Sequence, residues 1–113
     1  MNITFANGKL EKWANKFALA QKKLGYERAS KYHQRLGDMR DAESFNDLQF
    51  LPGSYHNLSC DRNGQWSCSL DHPYRLVFEP AIQPFPTNEH GTPILTEMKI
   101  VEIVEIVEIV DYH

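Results

Sequence analysis

YHNLSCDRNGQWSCSLDHPYRLVFEP, running from Tyr55 to Pro80, holds two turn signals, three short β-type runs and the densest set of reactive side chains in the chain. Asp61-Arg62-Asn63-Gly64 ends in Asn-Gly, a strong hairpin signal because both residues tolerate positive φ. Asp71-His72-Pro73 is a second break, since proline lacks a backbone donor and restricts its predecessor. Between the breaks, Trp66, Cys68 and Leu70 alternate with Gln65, Ser67 and Ser69, the pattern of a half-buried strand. After them, Tyr74, Leu76 and Phe78 alternate with Arg75, Val77 and Glu79. With Tyr55–Ser59 as the first strand, the stretch predicts a three-strand meander.

Outward from this centre, 113 residues suggest one domain, 1–113, around one core. Forty-two per cent hydrophobic and 24% charged residues match an ordinary globular chain. No apolar run reaches the roughly 18 residues that cross a bilayer. The start, MNITFANGKLEKW, lacks the apolar centre of a signal peptide, so the cytoplasm is the expected compartment. A two-residue Asn63-Gly64 loop sets Cys60 opposite Ser67, and a three-residue loop sets it opposite Cys68. Geometry thus leaves a bridge open, while a reducing cytoplasm favours free thiols.

The net charge of −3 is unevenly distributed: +6 for residues 1–40 and −9 for residues 41–113. A basic N-terminal part suits a polyanion or an acidic partner surface, or else an ordinary solvated helix face. Ile3–Phe5 reads as a short strand, and Asn7 as an N-cap before a helix over 9–24. Leu10, Trp13, Ala14, Phe17, Ala18 and Leu24 recur at helical spacing, and Gly25 closes the element. A second helix runs from about Glu27 to Arg40 with Ala29, Tyr32, Leu36 and Met39 inward, although Gly37 costs it about 1 kcal/mol. Trp13 and Tyr32 read as core residues rather than base-stacking platforms. The two helices form an α-hairpin covering one sheet face. Asp47–Leu51 suits a helical turn ended by Pro52-Gly53, and Ala81–Pro93 a long polar loop.

The triplet Val-Glu-Ile repeats three times from Val101 to Ile109. Its β-branched content favours a strand over Ile100–Val110, with a helix as the alternative. A period of three conflicts with the pleat's period of two. Glu102, Glu105 and Glu108 therefore point to alternating faces, and one meets an apolar surface unless a bulge intervenes.

The polar candidates are His56, Arg62, Arg75, Asp111, Tyr112 and His113. Two imidazoles with a guanidinium suit phosphodiester cleavage in RNA. One group takes the 2′-OH proton, another protonates the departing 5′ oxygen, and arginine steadies charge on phosphorus. Histidine titrates near neutrality and serves either role. The chemistry needs no metal or other cofactor, and His56, His72, His90 and His113 lack tight ligand spacing. Each candidate also has a plain structural alternative: His56 shares its strand side with Leu58, Arg62 sits in a turn, and Asp-Tyr-His ends the chain. No phosphate loop, dinucleotide fingerprint or nucleophile elbow is present.

The chain resembles the RelE/ParE superfamily of toxins from toxin–antitoxin modules, in its HigB-like branch. The matching residues are His56-x-Leu58, Asp61-Arg62-x-Gly64-x-Trp66-Ser67, Tyr74-Arg75-Leu76-x-Phe78 and Asp111-Tyr112-His113. Lys9-Leu10-Glu11-Lys12 and Gln34-Arg35-Leu36 are similar as well. The resemblance implies an α+β fold with an N-terminal α-hairpin packed on a small, mostly antiparallel sheet. It implies a ribosome-dependent mRNA endonuclease working without metal and neutralised by a helix-turn-helix antitoxin. In that scheme His56, Asp111, Tyr112 and His113 act on RNA, Arg75 binds the phosphate and Arg62 positions the strand. Two departures stand out: Leu58-Ser59-Cys60 replaces the Leu-Lys-Gly of many members, and the tripled Val-Glu-Ile is unusual. The alternatives are a non-enzymatic toxin acting on DNA gyrase, as in ParE-like relatives, and an inactive partner-binding relative.

Overall fold

The computed structural model describes residues 1–58, 62, 64–82 and 86–108. The chain has an α+β architecture with the elements β1 (Asn2–Phe5), α1 (Gly8–Asn15), α2 (Phe17–Leu24), α3 (Tyr26–Asp41), α4 (Phe45–Leu48), β2 (His56–Asn57), β3 (Trp66–Ser69), β4 (Tyr74–Pro80) and β5 (Ile100–Glu108). The sheet order is β1-β5-β4-β3-β2. The meander β2-β3-β4 and its extension to β5 are antiparallel, and only β1 runs parallel to its neighbour.

The helical layer follows the apolar periodicity, with one correction. Asn7 caps α1 by accepting from the Leu10 amide at 3.0 Å, as the sequence predicts. The helix expected over 9–24 instead breaks at Lys16, which takes an extended conformation. Lys16 closes α1 on the Lys12 carbonyl, and the next carbonyl, that of Trp13, receives His33 Nε2 at 2.8 Å. A tertiary donor thus replaces the missing helical one at the Trp13 carbonyl. It also turns α2, so that Ala20 is buried there while the expected Ala18 is exposed. In α3, the expected Ala29, Tyr32, Leu36 and Met39 are all buried, and the Tyr32 hydroxyl donates to the Leu10 carbonyl at 2.9 Å. Gly25, at φ +88°, joins α2 to α3 where a side chain would be strained.

One face of the sheet receives these helices. Trp66, Cys68, Leu76, Phe78, Val101 and Ile103 point into the core, and Phe45 of α4 packs against the rings of Trp66 and Phe78. The first meander strand is shorter than expected, since only His56 and Asn57 pair as a strand. The hairpin between β2 and β3 is also longer than a two-residue Asn-Gly turn. His56 pairs with Ser67, and the Leu58 amide donates to the Gln65 carbonyl at 2.8 Å. Gly64 keeps the predicted positive φ, at +90°, but within a wider connection. The Cys68 thiol is free and buried, and Cys60 lies outside the described residues. Burial pushes that thiol up to about 12, which keeps it protonated and unreactive. Beside it, Tyr55 is also buried, and its phenol is pushed well above the ordinary range by desolvation.

The conflict between a triplet repeat and a two-residue pleat is resolved by a bulge. Val77 pairs with Glu105 but the next residue, Phe78, pairs with Ile103, so Val104 is the extra residue. Val101 and Ile103 face the core before it, and Ile106 packs against the core after it. Without the bulge, Glu105 would take the core position two residues after Ile103. With it, Glu105 joins Glu102 on the outer face.

Candidate functional site on the outer face

The face of the sheet turned away from the helices carries the polar side of the meander. A row runs across it from His56 through Ser67 and Val77 to Glu105, one residue from each of β2, β3, β4 and β5. Val77 and Ser67 are fully buried there although neither belongs to the helix-side core.

A single carbonyl brings the two most reactive groups together. Ser54 has φ +53°, uncommon for a residue with a Cβ. Its oxygen receives His56 Nδ1 at 2.9 Å and Arg75 Nη2 at 2.8 Å. Arg75 is held a second time, by Nε donating to Ser67 Oγ at 2.8 Å. A carbonyl only accepts, so His56 Nδ1 carries the hydrogen. In the neutral ring the lone pair then lies on Nε2, the nitrogen a general base would use.

The strained turn rests on a buried arginine. Arg35 of α3 is 5% exposed and donates to the Ser69 carbonyl at 2.8 Å and the Pro52 carbonyl at 3.2 Å. Ser69 in turn donates to the Gly53 carbonyl from its amide at 2.8 Å and its hydroxyl at 3.1 Å. A Cβ on Gly53 would stand 2.8 Å from Arg35 Cζ, and Gly53 has φ +128°. Position 53 is therefore restricted to glycine by both space and conformation. The path from the helices to the site runs Arg35, Ser69, Gly53, Ser54, and then His56 and Arg75.

Arg62 lies on the same face but reaches the other way. Its Nη2 meets Glu105 Oε1 at 2.9 Å and its Nη1 donates to Gln65 Oε1 at 3.1 Å. Gln65 Nε2 then donates to Glu79 Oε2 at 3.2 Å. The sequence-predicted His56, Arg62 and Arg75 thus share one face, with His56 and Arg75 in one hydrogen-bonded group. Asp111, Tyr112 and His113, and the departure at Ser59-Cys60, lie outside the described residues. The last described residue of β5, Glu108, pairs with Tyr74, the neighbour of Arg75. Among the described residues, no three His, Cys, Asp or Glu side chains gather as a metal site.

Three contributors were not foreseen: Ser54, Ser67 and Glu105. Pro52-Gly53 signals a turn but not which carbonyl it presents. Ser67 was visible only as a polar position in an alternating strand. Glu105 reaches this face only through the bulge.

The basic charge of the N-terminal part lies on the helices. A cleft of about 440 Å³ is lined by Gly8, Lys9, Lys12, Trp13, Leu19 and Lys23. Trp13 is half-buried, packing on the core with one part and lining this cleft with another, whereas Tyr32 is wholly core. Among the described residues, no helix is long and apolar enough to cross a membrane.

Comparison with family models and with curated proteins returns no match. Solved structures do match in fold. A YoeB/ParE toxin from Agrobacterium tumefaciens superposes with a TM-score of 0.60 at 10% identity, over 97% of this chain and 100% of that one. The chain has the fold of these toxins. A YoeB-YefM complex from Staphylococcus aureus gives a TM-score of 0.55 at 17% identity, over 100% of this chain and 97% of that chain. The mostly antiparallel sheet with a helical layer on one face is common to this architecture.

Proposed function

We propose that the chain, as one RelE/ParE-like domain over residues 1–113, is the toxin of a type II toxin–antitoxin module in the HigB-like branch. Its activity is ribosome-dependent cleavage of mRNA in the cytoplasm. The observation that carries this reading is the shared Ser54 carbonyl, which draws His56 and Arg75 into one polar group on the outer sheet face. The sequence resemblance and the toxin fold of the neighbours support it.

The chemistry follows from the groups. A base removes the proton from a ribose 2′-OH, and that oxygen attacks the adjacent phosphorus. The bond to the 5′ oxygen breaks, an acid protonates that oxygen, and a 2′,3′-cyclic phosphate remains. His56 Nε2 suits the base or acid role, and Arg75 suits the charge that develops on phosphorus. Asp111, Tyr112 and His113 are proposed to supply the remaining proton transfers, and Arg62 to position the strand.

The proposed inhibitor is an antitoxin with a helix-turn-helix domain, and one neighbour of the same fold was solved as a YoeB-YefM complex. The test is induced expression with and without the product of the adjacent gene. The reading predicts growth arrest, rescue by that product, and mRNA ends inside codons. Arrest with intact mRNA and damaged DNA would instead indicate a gyrase-directed toxin. A stable, folded chain that never arrests growth would indicate an inactive partner-binding relative.

A further inference from the structure

The outer face carries a second arrangement, centred on β5, apart from the group around the Ser54 carbonyl. Arg62 extends from the β2–β3 connection across to β5, where Glu105 holds its guanidinium at 2.9 Å. Gln65 and Glu79 continue the contact, so one strap of four side chains links β5, the β2–β3 connection and β4. Glu105 is there only because of the extra residue Val104 in β5.

We propose that Glu105 is a positioning residue that occupies Arg62 in place of an RNA phosphodiester and is displaced when RNA binds. This rests on the ribonuclease reading for its ligand, but not for the ion pair itself. A carboxylate and a phosphodiester each present anionic oxygens to the same fork of guanidinium donors, so they compete for it. The pair is open enough to exchange: the side chains are 38% and 45% exposed. An ion pair at that exposure is a weak one, easily replaced by another anion. The face is also crowded with negative charge, since Glu79 pairs directly with Glu102 across β4 and β5. Of the three outer-face carboxylates, Glu105 is the one that holds Arg62.

The experiment compares Glu105→Gln with Glu102→Gln, which removes the same charge from the same face without releasing Arg62. Binding of the full chain to a single-stranded RNA oligonucleotide is measured across a salt series. Glu105→Gln is expected to bind about fivefold more tightly, the size of effect a single weak ion pair carries. The gain shrinks as salt rises, because salt also screens the ion pair that Glu105→Gln removes. Glu102→Gln changes affinity less, and Arg62→Ala in the Glu105→Gln background abolishes the gain. Equal gains in the two single variants, or a gain that survives Arg62→Ala, would overturn the proposal.

A second measurement needs no RNA. The ¹⁵N–¹H signals of the Arg62 guanidinium are followed during titration with inorganic phosphate. They are expected to respond at lower phosphate concentration in Glu105→Gln than in the native chain. Identical titrations would overturn the proposal whatever the RNA result. If phosphate behaves as expected while the native chain neither binds nor cuts RNA, the ribonuclease reading fails and the carboxylate competition stands.

Discussion

The two faces of the sheet are built by different rules. On the helix side, apolar residues at helical and strand spacing converge on Tyr32, Leu36, Met39, Phe45, Leu76 and Phe78, all with no exposure. On the outer side, His56, Arg62, Arg75 and Glu105 come from four separate segments and share no spacing in the sequence. The first face is held by burial, which needs only the right pattern and volume. The second is held by directed hydrogen bonds to one strained carbonyl and one strap. The faces should therefore fail differently, the helix side in stability and the outer side in activity.

The largest expected effect is on the outer face alone. A His56→Ala, Arg75→Ala double variant should lose about a thousandfold or more in mRNA cleavage, since a proton-transfer group and a phosphate ligand are removed together. Its denaturation midpoint should stay close to that of the native chain. A cleaving double variant, or an unfolded one, would break the division between the faces.

Next is the helix side. Leu36→Ala should cost about 2–5 kcal/mol of stability by denaturant unfolding, from lost burial and the cavity left behind. A loss under about 1 kcal/mol would mean that the core relaxes around the site more than its packing implies.

Arg35→Ala joins the two regimes and should cost about 2–3 kcal/mol, because buried acceptors at Ser69 and Pro52 lose their donor. It should also reduce cleavage, since the Gly53-Ser54 turn beneath His56 and Arg75 loses its support. Reduced stability with undiminished cleavage per folded molecule would show that the turn holds its shape without the arginine.

The smallest effect is a gain. The Cβ of Gly37→Ala would meet nothing within 4 Å, so tight packing does not account for this glycine. The change should stabilise the chain by about 0.5–1 kcal/mol through helix propensity, with cleavage unchanged. A destabilised variant would point to a packing demand at that position.

The same contrast explains what could be read in advance. The apolar stripe of α3 and the alternation of β3 and β4 are local patterns, and both were legible to the residue. The break at Lys16 was not, because no glycine or proline marks it. Its enabling partner, His33, lies on another helix. The bulge in β5 was posed as a question by the triplet repeat, but the pairing of Val77 with Glu105 and of Phe78 with Ile103 had to be seen to locate it. His56, Arg62 and Arg75 were singled out from residue chemistry and resemblance. The carbonyl joining two of them was not, since Ser54 contributes its backbone and any residue has one. Turn geometry depends on φ, which a serine does not advertise.

The most direct test is to map mRNA ends at nucleotide resolution on ribosomes from cells expressing the native chain, His56→Ala and Leu36→Ala. The account predicts 5′-hydroxyl ends at a fixed position within the ribosome-bound codon for the native chain and their loss in His56→Ala. In Leu36→Ala the same ends should recur at an abundance that tracks the folded fraction. Cut sites in His56→Ala matching the native chain in place and number would contradict it.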